Sequence, residues 1–85
     1  MGYKINYKGS VAKDLKRLNP KDTLRIINKT ERILTENPQA GSPLTGEFQG
    51  LFRLRVGDYR VIYAHDSEQI IILRIAHRKD VYRKK

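Results

Sequence analysis

The chain of 85 residues has no cysteine, which excludes a disulfide framework, thiolate zinc ligands and a thiol nucleophile together. Stability must come from packing. Long apolar runs are missing as well: the longest aliphatic stretch, Ile70-Ile71-Ile72-Leu73, falls far short of the roughly 18 residues a membrane span needs. The opening residues Met1-Gly2-Tyr3-Lys4-Ile5-Asn6 carry neither the apolar core of a secretory signal nor the Ser/Thr of a myristoylation site. A cytoplasmic protein, with no membrane partner, is the expectation. Paired carboxylates, metal-ligand spacings and a glycine-rich phosphate loop are all missing, which argues against nucleotide hydrolysis and metal-dependent nuclease chemistry. No metal and no cofactor are expected. Acidic residues are scarce: 9 Asp+Glu stand against 18 Lys+Arg, giving a formal net charge of +9 and a pI near 10.1. Such a balance attracts polyanions and says nothing about fold. The length supports one domain over residues 1–85 with one compact core.

What is present is concentrated in Leu51-Phe52-Arg53-Leu54-Arg55-Val56-Gly57-Asp58-Tyr59-Arg60-Val61-Ile62-Tyr63. Period-two alternation sets Phe52, Leu54 and Val56 on one face of a strand and Arg53 and Arg55 on the other. Gly57-Asp58 predicts a two-residue turn of type II′, with glycine in the first position. That turn puts Arg55 directly across from Arg60. Facing like charges cost a sheet about 0.2–1 kcal/mol, so the arrangement points to a use, and an anion is the obvious one. The planar donor fork of arginine matches phosphate oxygens, which makes a nucleic-acid backbone the first candidate.

Along the rest of the chain, Tyr3 to Tyr7 alternates as a half-buried strand. Ser10 reads as the N-cap of a helix carrying Val11, Leu15 and Leu18. Asn19-Pro20 ends it and starts a longer helix through about Glu36, whose stripe is Thr23, Ile26, Ile27, Thr30, Ile33 and Leu34. Pro38, Gly41, Pro43, Gly46 and Gly50 mark one long loop. A turn around His65-Asp66-Ser67-Glu68 leads to a last strand, Gln69 to Ala76, apolar on both faces. The predicted architecture is α+β, in the order β-α-α-β-β-β, with both helices on one face of a mainly antiparallel four-stranded sheet and the other face at least partly open. Pairing Ala64 with Gln69 would place Ile75 and His77 on the face of Arg55 and Arg60, and a single β-bulge would turn His77 away.

The arginine hairpin, followed by His77-Arg78-Lys79-Asp80-Val81-Tyr82-Arg83, resembles the RelE/ParE toxin superfamily, nearer its RelE branch. Together with the two helices and the proline-rich loop, the likeness covers nearly the whole chain. It implies a type II toxin that cleaves messenger RNA in the ribosomal A site, held inactive by a co-expressed antitoxin in a hetero-oligomer. By position, the family's basic strand residues fall on Arg53 and Arg55, the arginine after the turn on Arg60, and the basic residue after the last strand on His77 or Arg78. The base-stacking tyrosine falls on Tyr82. Well-known members carry lysines where Arg53 and Arg55 stand, and arginine is effectively never deprotonated at neutral pH.

Metal-free RNA cleavage must activate a 2′-hydroxyl, stabilise charge on the phosphorus oxygens and protonate the leaving 5′-oxygen. Arg53, Arg55 and Arg60 suit the second task. His77 is the natural candidate for moving protons, since histidine ordinarily titrates near neutrality. A packed or merely exposed histidine is the alternative. Tyr82 offers a face for stacking on a base or for closing the core edge, and Arg83-Lys84-Lys85 forms a small RNA-attracting cluster. His65 reads as surface, Asp58 as a turn residue, and Tyr59 and Tyr63 as core. Two other functions stay open: a ParE-like poison of DNA gyrase without nuclease activity, since fold does not fix function, and a non-catalytic nucleic-acid-binding module.

Overall fold

The computed structural model describes residues 3–81. Strand β1 (Lys4–Tyr7) is followed by helices α1 (Gly9–Lys16) and α2 (Pro20–Glu36), a short edge strand β2 (Ser42–Pro43), a single 3-10 turn, and strands β3 (Phe52–Val56), β4 (Tyr59–His65) and β5 (Gln69–His77). The sheet runs in the order β1-β5-β4-β3-β2. β2 to β5 pair antiparallel, and β1 lies parallel to β5. The class is the α+β arrangement expected from the sequence, with five strands instead of four. The added strand comes from the long loop, which folds back to pair Ser42 with Arg53 and Pro43 with Phe52. An edge position tolerates Pro43, which has no N–H to donate.

Helix α2 starts where the sequence places it. The Asn19 side chain accepts the Asp22 N–H at 2.9 Å, and Pro20 occupies the first turn. Helix α1 starts differently: its cap is Lys8, without a side-chain cap bond, and Ser10 has another role. β1 stops at Tyr7, opposite Ile72, and α1 takes over the edge of β5 from there. The Lys8 N–H donates to the Ile72 carbonyl at 2.9 Å, the Ser10 hydroxyl donates to the Leu73 carbonyl at 3.0 Å, and Asp14 Oδ2 accepts the Ile75 N–H at 2.9 Å. Edge groups that would otherwise template another strand are thereby bonded.

The helices cover one face of the sheet. Val11, Ile26 and Leu34 meet Leu54, Val56, Val61, Tyr63, Ile70, Ile72 and Ile75 there in one core, in which Ile26, Leu34, Ile70 and Ile72 are completely buried. Each such aliphatic side chain stabilises the fold by about 1.5–3 kcal/mol. The opposite face carries a second, smaller cluster of Ile62, Ala76 and Val81, flanked by Leu44 and Leu51. The chain after β5 folds back over this face, so it is less open than the alternation of the hairpin suggests. Among the described residues, no helix is long and apolar enough to cross a membrane.

Candidate functional site

The hairpin register is the one the alternation predicts: Leu54 faces Val61, Arg55 faces Arg60, and Val56 faces Tyr59. Gly57 has φ +60°, and no other residue of the turn has a positive φ, which fits a type II′ turn. Arg53 and Arg60 are half-buried and Arg55 is exposed, all on the face away from the helices. Nη1 of Arg60 donates to the carbonyls of Gly57 and Tyr59, both at 3.0 Å. The guanidinium is therefore folded onto its own turn instead of swinging freely.

Arg78 reaches the same place from the far end of β5. Its N–H donates to the Asp58 carbonyl at 2.8 Å, and its Nε lies 3.9 Å from Asp58 Oδ1. Burial, then the Arg55, Arg53 and Arg78 guanidiniums, pull Arg60 below the usual arginine range, with Asp58 opposing them. Four guanidiniums thus share one field around the turn. Such an arrangement is chemically suited to an anion with several charges or to a chain of phosphates, which would accept the guanidinium N–H groups and offset their mutual repulsion.

His77 is not brought to this face. The β4–β5 ladder shifts register between Ile62 and Tyr63: Tyr63 pairs with Ile72, but Ile62 pairs with Arg74, leaving Leu73 as the extra residue. Past this bulge Ala76 lies opposite Arg60, and His77 lies opposite Tyr59. The expected Ala64–Gln69 pairing is replaced by Ala64–Ile71. The imidazole meets the Tyr59 ring edge to face at 5.6 Å, and its Nδ1 accepts the Lys79 N–H at 3.2 Å. It borders a cavity of about 310 Å³ on the α1 side, shared with Asp14, Arg17, Tyr59 and Arg74.

His65 is not a surface residue either. It is half-buried, with its ring centroid 4.8 Å from that of Phe52 and 6.1 Å from that of Tyr63. Tyr63 and Tyr59 are core, as expected: Tyr63 is fully buried and Tyr59 packs against the main cluster. Tyr82, Arg83, Lys84 and Lys85 lie outside the described residues. Two contributors went unnoticed in the sequence. Val81 has no signal in a polar tail, and Asp58, read as a turn residue alone, also receives Arg78.

Fold and site together define a small basic α+β domain with four arginines gathered around the turn of its central hairpin. The family described as ParE toxin of type II toxin-antitoxin systems, parDE, matches residues 5–82. Toxin RelG of Mycobacterium tuberculosis is 33% identical over 87 residues, covering 99% of this chain and 100% of that protein. Toxin RelE of the same organism is 36% identical over 84 residues, covering 95% and 87%. The crystal structure of the toxin-antitoxin complex RelBE2 from M. tuberculosis contains a chain that superposes with a TM-score of 0.85 at 29% identity, covering 91% of this chain and 99% of that one. The chain belongs to the ParE toxin family and is a type II toxin of the RelE/ParE superfamily.

Proposed function

We propose that this toxin is an endoribonuclease that cleaves messenger RNA in the ribosomal A site and so inhibits translation. The observation that carries the reading is the placement of Arg53, Arg55 and Arg60 on one face of the hairpin, with Arg78 bonded to its turn through Asp58. In this mechanism a 2′-hydroxyl attacks the adjacent phosphorus and the 5′-oxygen leaves. The arginines hold the scissile phosphate and neutralise the charge that grows on its oxygens, which is commonly the largest single contribution in such catalysis. Tyr82 would stack on a base, and Arg83, Lys84 and Lys85 would meet the flanking backbone. Proton transfer is the task with the fewest groups at this face. His77, the candidate from the sequence, sits across the strand, so the reaction depends on the ribosome to orient the 2′-hydroxyl and supply the missing groups.

The partner in this reading is a cognate antitoxin of the RelB kind, a proposal supported by the RelBE2 relative having been solved as a toxin-antitoxin complex. A groove of about 350 Å³ between the helices, lined by Tyr7, Val11, Ala12, Leu15, Ile27 and Glu31, suits the apolar face of a partner helix. A second reading, gyrase poisoning, is favoured by the description of the matched family as ParE. Primer extension on messenger RNA after induction separates the readings. Discrete in-frame cuts support the nuclease, DNA breaks without such cuts support the gyrase poison, and the absence of both supports a non-catalytic binding module.

A further inference from the structure

We propose that Val81 is a positioning residue that holds Arg78 in the arginine site. The proposal rests on reading that site as RNA-binding. Arg78 is exposed, and its side-chain contact to Asp58 is a loose 3.9 Å pair between exposed groups. Exposed pairs of this kind fix a long side chain poorly. Meanwhile Arg60 and Arg78 repel each other, and Arg53 and Arg55 add to the positive field at Arg60. Something other than charge must keep residue 78 there, and the backbone on either side supplies it. Upstream, the Arg78 N–H is bonded to the Asp58 carbonyl. Downstream, the N–H groups of Asp80 and Val81 both donate to the His77 carbonyl, at 2.8 and 3.1 Å, closing the turn.

The turn is then pinned to the sheet by one apolar side chain. Val81 is 4% exposed and seated on Ile62 and Ala76, the neighbours of the arginines on the same face. Arg74, itself tethered to Asp14 at 3.6 Å, reaches the Val81 carbonyl at 3.5 Å. Burying a valine in this small cluster gives the turn a free-energy source independent of the charges it carries. Arg78 is delivered against repulsion because Val81, three residues on, has an apolar seat.

The test uses the full chain and a single-stranded 2′-O-methyl RNA oligonucleotide, which lacks the nucleophile and cannot be cleaved. Affinity is measured against salt concentration, where each phosphate contact contributes about 0.7 to the logarithmic slope. Val81→Ala and Arg78→Ala should each lower the slope by about 0.7, the double variant should fall no further than Arg78→Ala alone, and Val81→Ile should keep the wild-type slope. Amide exchange should quicken at Arg78 in Val81→Ala by about tenfold, with the amides of Val61 and Ile75 unchanged, which also shows that the fold persists. Unchanged protection at Arg78, or a binding loss in Val81→Ala that recurs in full on the Arg78→Ala background, overturns the proposal. An Arg78→Ala slope equal to wild type overturns instead the RNA-binding reading beneath it, so the two failures are distinct.

Discussion

On the helix side of the central hairpin, Leu54, Val56, Val61 and Tyr63 disappear into one core, while on its other side Arg53, Arg55 and Arg60 crowd around a turn beside a three-residue apolar cluster. The two faces share every backbone hydrogen bond of β3 and β4, so the ladder cannot be what distinguishes them. The helix side supplies stability through burial. The arginine side spends some of it on repulsion, which on the proposed reading a bound phosphate would relieve. Variants on the first face should therefore change melting and spare the chemistry, and variants on the second should do the reverse.

The largest expected effect is on stability. Ile72→Ala empties a fully buried position between Tyr63 and the edge strand β1 and should cost about 2–5 kcal/mol. In a domain this size that lowers the melting temperature by at least about 8 °C, while growth inhibition persists at permissive temperature. Arg60→Ala should do the opposite. Loss of one donor aimed at developing charge slows cleavage by about 10²–10³-fold, and growth inhibition should vanish while the melting temperature holds or rises slightly. A folded Arg60→Ala protein with full toxicity would break the division of labour between the faces.

Tyr63→Phe tests whether the core side also shapes the site side. The Tyr63 hydroxyl donates to the Pro38 carbonyl at 2.7 Å and accepts the Gly41 N–H at 2.9 Å, fastening the loop that carries β2. Gly41 allows this closeness, because a Cβ there would lie 2.6 Å from that hydroxyl and 2.7 Å from the Arg53 carbonyl. Removing the hydroxyl should cost about 1–3 kcal/mol, with only a small loss of cleavage. Burial also raises the Tyr63 pKa, so an unfolded chain ionises above about pH 10 while the folded phenol stays neutral. Wild-type stability should accordingly fall with rising pH above that point. Tyr63→Phe should lose part of this alkaline dependence and keep the rest, since Tyr7 is raised as well, and chemical denaturation across pH 9–11 reads the difference.

The hairpin was legible because Phe52 to Val56 alternates strictly and Gly57-Asp58 has turn chemistry, so register followed from local rules. The α2 start was legible for a similar reason, through Asn19 and Pro20. The β4–β5 register was not. Ile70, Ile71, Ile72 and Leu73 are all aliphatic, and without alternation no local rule says which residue the ladder skips. β2 was hidden in a proline- and glycine-rich loop because its two residues are held by Arg53 and Phe52 and by the Tyr63 anchor, contacts far away in sequence. Val81 was hidden likewise, as one apolar residue in a basic tail whose seat exists only after the chain folds back.

The smallest expected effect falls at His77, where that skipped residue decides the outcome. Without a bulge the imidazole would stand beside Arg60 and could shuttle protons, and His77→Gln would slow single-turnover cleavage by about 10²–10⁴-fold. With Leu73 taking up the extra position, the ring instead packs on Tyr59, and its Nδ1 is engaged by the Lys79 N–H. Glutamine can keep a polar contact to that N–H, so His77→Gln should change the rate on ribosomes by no more than about fivefold, within what a shifted turn accounts for. The pH profile is the sharper readout: the variant should keep the wild-type profile, since the ring removed lies on the opposite face from the arginines. A loss of 10²-fold or more, accompanied by disappearance of a limb near neutral pH, would mean that the turn carrying His77 rearranges on the ribosome and that the division between the two faces is not kept during catalysis.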